Sequence, residues 1–555
     1  MPLSLVFAIP DHPWVDSADG AAVRIAMTVA AVDAADGQLH VVATEVDGDQ
    51  EEVAVTLRPS SGVIHADLSI GANVIAAKSL QANSDISCPG LKLHGAGFIV
   101  THEQARKLGL GTIAGIEQLI RPYRNGRDLT DKPRDALVID LFGLSAEVVR
   151  ANYPAVYQHV LEHVKPERDA KGHSKDGAAY ARLWWLHGKP RQELRKSLAG
   201  LSRYIVTVET AKHRAFQFLD AIIAPDNRLI CIAIDDAHFL GVLSSTIHIS
   251  WAIAAGGTLE DRPVYNKSRC FEPFPFPIAN DDQQTHLRTL AEQLDAHRKR
   301  QQAAHPDLTL TGMYNVLDKL RSDEPLSAKE RTIHEHGLVS VLRQLHDEID
   351  AAVLDAYGWS DLLPLLRVAM GNDTPASASV GAASAAMLLP DSMQENQSIA
   401  TEVAPTNVAP TKAANMSEAK RAFDEAILER LVALNAERAA EEARGLVRWL
   451  RPEFQHPSAQ AVPSQGELPD ARDDETALIV TSATGKPLPW PQDAVAQVRA
   501  VAEALAASAA PLSVDELAAR FSARGPWKKR LPQLLDMLVA LGRAQAKDDR
   551  YSATR

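Results

Sequence analysis

Cysteine is scarce: only Cys88, Cys231 and Cys270 occur among 555 residues. Their odd number and wide spacing argue against a disulfide framework and against a zinc site, and a reducing cytoplasm fits best. Long hydrophobic runs are also missing. Leu3 to Ile9 is apolar but short, lacks a preceding basic region and ends in Pro10-Asp11, so it reads as a buried strand and not a signal peptide; no membrane contact is expected. The histidines, His238 and His248 included, show no HExxH pattern or His/Cys pairing and read as core or surface groups. Asp235-Asp236 follows the apolar run Leu229 to Ile234 with no second acid or histidine at a recognisable spacing, so a cap or turn explains it. His94-Gly95-Ala96-Gly97-Phe98 and Leu108-Gly109-Leu110-Gly111-Thr112 fail as cofactor loops. The first does not open a helix, and the second sits after a helix from Glu103 to Leu108; a turn and a helix C-cap fit them better. No catalytic, cofactor-binding or metal site is expected within these residues.

The chain is 46% apolar and 23% charged, ordinary globular material long enough for three or more domains with separate cores. Its net charge of −13 is hostile to a polyanion, but the charge is segregated. Residues 1–100 hold four Lys/Arg against twelve Asp/Glu, whereas residues 121–214 hold eighteen against eleven. An acidic stretch precedes a basic middle.

Leu3 to Ile9 and Ala22 to Val32 read as an antiparallel pair of buried strands, and Leu39 to Val46 with Glu52 to Arg58 as a hairpin across Asp47 to Glu51. From Gly90 to Pro277, short helical and strand-like pieces alternate with Gly, Pro and Asn, as in an irregular α+β domain. Beyond it, Leu287, Leu290 and Leu294 share one helical face. Ser327-Ala328-Lys329-Glu330 forms a capping box, and Leu338, Leu342, Leu345, Ile349 and Val353 form a second stripe. Residues 371–415, rich in Ala, Ser, Thr and Pro, are expected to be a disordered linker. Phe423, Ile427, Leu431 and Leu434 make a further helical stripe. The tail offers a helix from about Asp493 to Ala507, a capping box at Ser513 to Glu516, a helix after Pro526 and a hairpin around Ala544 to Ala553, a winged-helix-like pattern.

The basic middle interleaves cations, amides and rings. Arg121, Tyr123, Arg124, Asn125 and Arg127 surround the Gly126 turn, a composition suited to phosphate clamping and base-edge hydrogen bonding. Arg168, Arg191, Arg203, Lys212, Arg214, Asn266 and Lys267 continue the pattern. These twelve residues are the expected DNA contacts, with Lys212 and Arg214 as phosphate clamps; the alternatives are a solvated charged face and core aromatics.

Phe7-Ala8-Ile9-Pro10-Asp11-His12-Pro13-Trp14 followed by Ala22-Val23-Arg24-Ile25-Ala26-Met27 resembles the last two strands of a class I S-adenosylmethionine-dependent DNA methyltransferase domain. Ile120 to Leu129 and Arg269-Cys270-Phe271-Glu272-Pro273-Phe274-Pro275-Phe276-Pro277 resemble the target-recognition domain of large adenine-modifying enzymes of the type IIG and phage-defence kind. Thr309 to Asn315, His346 to Glu348, Ala356 to Trp359 and the tail resemble the C-terminal part of such proteins. The resemblance implies an α+β multidomain chain: 1–60, C-terminal strands of a Rossmann-like methyltransferase sheet; 61–278, a target-recognition domain; 279–370, a helical subdomain; 371–415, a linker; 416–455, a helical segment; 456–485, a second linker; 486–555, a winged-helix-like domain. It also implies double-stranded DNA as partner.

The sequence departs from that family at the front. It has neither the glycine-rich strand-loop-helix that holds S-adenosylmethionine nor an Asn/Asp-Pro-Pro-aromatic motif, and no Pro-Pro occurs anywhere. Phe274-Pro275-Phe276-Pro277 lacks the amide or carboxylate that would hold a base and reads as a rigid corner. The expectation is the recognition portion of a split or truncated adenine-specific methyltransferase, inactive alone, whose cofactor is bound by a missing N-terminal half on a partner polypeptide. The alternative is a DNA-specificity or adaptor protein without enzymatic activity. A nuclease is a weaker third reading: Glu418-Ala419-Lys420 matches a Glu-x-Lys fragment but sits at a helix start, where solvated surface explains it.

Overall fold

Hydrophobic periodicity places the first strands where they were expected. A computed structural model describes residues 3–14, 23–32, 36–47, 53–66, 68–171, 175–259, 262–372 and 412–456, with short stretches between 488 and 553. It divides into two units, residues 1–470 and 471–555. At the front, β1 (Leu3–Trp14), β2 (Val23–Val32), β3 (Gly37–Asp47) and β4 (Val53–Gly62) form a sheet of order β2-β1-β3-β4. The β1–β2 and β3–β4 pairs are antiparallel and β1–β3 is parallel, so both pairings foreseen from the alternating patterns are present. The expected burial of β1 and β2 is not. Among the described residues of this sheet, only Ala8, Ile9 and Leu39 of the apolar side chains are buried, against Ile64, while Leu3 is 70% and Val29 54% exposed. Among the described residues no layer covers β2, and its outer edge carries no further strand.

The middle of unit 1 holds two small sheets, the first antiparallel throughout and the second mixed, its β11–β7 pair being parallel. β5 (Ser87–Pro89), β9 (Arg203–Val208), β10 (Gln217–Asp220) and β12 (Leu229–Ile232) run in the order β10-β9-β12-β5. β6 (Ile99–Val100), β7 (Ile120–Arg124), β8 (Leu137–Ile139) and β11 (Ala224–Pro225) run in the order β11-β7-β8-β6. Helices α1 (His102–Lys107), α2 (Gly126–Thr130), α3 (Ala146–Asn152), α4 (Pro154–His163), α5 (Lys165–Ala170), α6 (Lys175–Arg182) and α7 (Gln192–Leu198) connect them. Gly109, just past the last turn of α1, has φ +109°, which fits the expected helix C-cap.

The helical part shares one continuous core with the β10-β9-β12-β5 sheet. α8 (Ala237–Ser244), α9 (Thr246–Gly256), α10 (Asp281–Ala304), α11 (Leu310–Ser322), α12 (Ala328–Gly337), α13 (Val339–Tyr357), α14 (Leu363–Ala369) and α15 (Lys412–Ala443) pack around residues such as Phe216, Trp251, Phe274, Leu294, Ile349 and Phe423. Several separate cores form, as expected, but they do not follow chain order: the stripe Phe423, Ile427 and Leu431 closes the same core that Ile205 and Ile232 begin, while Val138, Tyr204, Leu39 and Leu535 belong to others. The capping box Ser327 to Glu330 opens α12. Leu338, expected on the stripe, instead adopts a left-handed conformation between α12 and α13 and is exposed. Among the described residues no single helix is long and apolar enough to cross a membrane. The linkers expected at 371–415 and 456–485 and the turn at Asp47 to Glu51 lie largely outside the described residues. In unit 2 the hairpin Ala544–Lys547 with Arg550–Ala553 is present, as are helices Val514–Ala518 and Leu531–Ala540 around Leu517, Phe521 and Leu535.

Asp350 is fully buried on α13 and accepts hydrogen bonds from Thr246 N and Thr246 Oγ1, both at 2.6 Å. Burial outweighs these bonds and raises its carboxyl from 3.8 to about 6. The native state then holds a proton that the unfolded chain has lost, so this group's contribution is full below pH about 4 and falls away as pH rises through about 6. Asp350→Asn is expected to remove that slope: denaturant titrations should show wild type losing stability relative to the variant between pH 4 and 6.5, and parallel curves would contradict it.

Candidate nucleic-acid interface

Strand β7 ends at Arg124 and the chain turns at once into α2. Asn125 caps that helix by accepting from Asp128 N, and the Asp128 carboxylate accepts in return from Asn125 N, a reciprocal capping box. Asp128 is buried and takes a bidentate pair from Arg134 at 2.8 and 2.9 Å, which holds its carboxyl below the usual range against the cost of burial. Gly126 packs closely: a Cβ there would lie 3.0 Å from Val208 Cγ1 on β9, which would have to give way. Tyr123 is buried and donates to Asp226 Oδ2 at 2.5 Å; burial pushes its hydroxyl far above its ordinary value. Arg121 donates to the carbonyls of Ile222 and Ala221, both at 3.0 Å. The Arg121-to-Asp128 motif is thus first of all a structural corner.

Several of the expected DNA contacts lie inside the protein, and that expectation is corrected. Arg168 is 3% exposed and donates to the carbonyls of Leu93, His94, Tyr180 and Leu186. Arg214, 9% exposed, donates to the carbonyls of Val208, Glu209 and Pro263 and to Thr207 Oγ1. None of these bonds goes to a carboxylate, and burial lowers both guanidinium groups to about 10. Tyr123 is likewise sealed in. Arg203 spans Glu292 at 2.5 and 3.0 Å and lies 3.8 Å from the centre of the Phe218 ring. Arg191 Nε donates to Gly90 O, Asn266 caps a turn by accepting from Arg269 N, and Lys267 pairs with Glu272 at 3.2 Å. Asp236 caps α8 and grips Arg288, so the Asp235-Asp236 pair is a cap, as expected. Lys420, expected on solvated surface, is instead tied to Asp424 and Ser250 against α9.

Some outward-facing residues lie near a cleft. A small cleft between α2, β9 and α11 is lined by Thr130, Thr207, Gln217, Thr311, His213 and Tyr314. Arg127 on α2 is exposed, and among the described residues its guanidinium has no hydrogen-bond or ion-pair partner. Lys212 is exposed beside the cleft and donates to Asn315 Oδ1 on α11 at 2.8 Å, where His213 Nε2 also lies at 2.8 Å. Lys132, which the sequence pattern did not single out, reaches Asp307 just before α11 at 2.5 Å and stays 56% exposed. Arg124 is half-buried, with only a 3.4 Å contact to Asp135 and a 3.3 Å bond to Tyr123 O. Three exposed cations thus lie within three positions of residues lining the cleft, Arg127 and Lys132 of Thr130 and Lys212 of His213, and with its hydroxyls and an amide they offer chemistry able to meet phosphates and base edges.

Residues 76–278 match the target recognition domain of MmeI. The residues just described on α2, β7 and β9 fall inside that match, and α11 lies beyond it. One solved structure, described as the Type IIL restriction-modification enzyme MmeI in complex with DNA, superposes with 20% identity and a TM-score of 0.48, covering 64% of this chain and 43% of its own. The chain therefore spans less than half of that enzyme's length. No curated protein matches the chain.

The two kinds of arginine in the matched region should separate experimentally. Arg214→Ala strands several buried carbonyls and is expected to cost on the order of 3 kcal/mol of stability. Arg127→Ala is expected to leave the melting temperature within about 1 °C, because the side chain is exposed on the surface of α2. Equal thermal shifts for the two variants would contradict the assignment.

Proposed function

We propose that this chain recognises a double-stranded DNA target on behalf of an adenine-specific DNA methyltransferase in a cytoplasmic restriction-modification or phage-defence system. The match of residues 76–278 to a target recognition domain carries the reading. The exposed Arg127, Lys132 and Lys212 beside a hydroxyl-lined cleft support it in a chain that is acidic overall. The adenine specificity rests on the sequence resemblance alone.

S-adenosylmethionine does not fit the residues present. A Cβ on Gly97 would lie 2.6 Å from His163 O, so α4 itself fills the space before the first glycine turn. The second turn follows α1 instead of opening a helix. We therefore place the cofactor and the methyl-transfer chemistry in a methyltransferase domain or polypeptide outside these 555 residues, with β1 and β2 as the last strands of its sheet. The exposed apolar edge of β2 supports that docking, because such an edge otherwise invites aggregation.

The test is the triple variant Arg127→Ala, Lys132→Ala, Lys212→Ala on duplex DNA. Affinity is expected to fall at least roughly tenfold at moderate salt, and the slope of log affinity against log salt to shrink by about 2–3. Unchanged affinity and slope in a folded variant would remove this surface from the interface.

A further inference from the structure

Cys88 and Cys231 are 143 positions apart in sequence, and the fold brings them face to face. In the antiparallel pairing of β5 with β12, Cys231 stands directly opposite Cys88. The flanking opposed pairs are hydrogen-bonded: Gly90 N donates to Leu229 O at 2.9 Å and Ala233 N to Ile86 O at 2.7 Å. Hydrogen-bonded pairs alternate along such a ladder, so the cysteine pair midway between these two is also of that kind, with Cα atoms about 5.5 Å apart. Disulfides span roughly 4.4–6.8 Å between Cα atoms. Directly opposed side chains project to the same face of a sheet, and both thiols indeed sit in one apolar cluster with Leu194, Tyr204 and Val206. Cys231 is fully buried, Cys88 is partly exposed, and both are thiols in this structure.

We propose that Cys88 and Cys231 form a reversible dithiol–disulfide site that takes a small-molecule disulfide such as oxidised glutathione as its oxidant. The partly exposed Cys88 thiolate attacks one sulfur of the oxidant, making a mixed disulfide and releasing the first small thiolate. Cys231 then loses its proton and attacks Cys88 Sγ, releasing the second. Two protein thiols are oxidised, one small disulfide is reduced to two thiols, and the two protons end on those leaving thiols. Burial, with Cys88 beside it, pushes the Cys231 thiol well above its ordinary value, so the second step gains rate as pH rises. Cys270 is the internal control: it is buried behind Ala252 O and Val264 O and lies in a different core.

The experiment treats the full chain with oxidised glutathione at pH 8.5 and reads intact mass and peptide maps. The expected product is lighter by two hydrogen atoms, carries one cross-linked peptide joining Cys88 to Cys231, and leaves Cys270 alkylatable after unfolding. Cys231→Ser should stall with glutathione on Cys88, and Cys88→Ser should not react while folded. A wild-type chain that keeps glutathione on Cys88 with Cys231 still alkylatable, or that reacts at neither residue, would overturn the proposal. DNA binding plays no part in this readout, so its outcome is independent of the proposed function.

Discussion

Buried arginines bonded to backbone carbonyls hold the irregular part of this molecule together. Short strands and one-turn helices leave many main-chain oxygens without a ladder or helix partner, and a buried orphan carbonyl is costly. A guanidinium brings five donors in a planar fork and suits that need. Arg168 ties four carbonyls around α5 and α6, and Arg214 ties three around the end of β9. Arg298 on α10 reaches Phe216 O, and Arg451 reaches Ser197 O, Ala199 O and Ala233 O from beyond α15. The last contact strap-ties a distant segment to the β10-β9-β12-β5 region, together with Gln455 on the carbonyls of Ala82 and Ser84.

That constraint shapes the candidate interface by subtraction. The basic middle of the sequence spends many of its cations on carbonyls or carboxylates, as Arg121, Arg134, Arg168, Arg203 and Arg214 do. The outward cations beside the α2–α11 cleft are held in place by neutral or exposed partners, Lys212 by Asn315 and Lys132 by a carboxylate that is itself almost wholly in solvent. Such contacts are weak and exchange readily for a phosphate. The same corner that locks Asn125 and buried Asp128 in a capping box presents Arg127 to solvent, so the local structure and the proposed contact share one turn.

What the sequence made legible was local. The β1–β2 and β3–β4 pairings, the capping box of α12 and the stripe of α15 depend on neighbours within a few turns or one hairpin, and each is present. The fate of each arginine was not legible, because a guanidinium against carbonyls 75 positions away, as in Arg168 with Leu93, looks in sequence like one facing DNA. Lys132 was missed for the converse reason: it lies among acids, with no ring or amide beside it, and only folding brings it next to α11. The exposure of β2 was misread because an apolar strand implies a covering layer, and among the described residues that layer is missing.

The most direct measurement of the central claim is selection of the purified chain on a random duplex library, with enrichment sequenced over several rounds at about 150 mM salt. The account predicts convergence on one short motif, since a recognition domain retains its contacts to base edges apart from any catalytic partner. Retention of DNA with flat base composition at every position, or no retention at all, would contradict it.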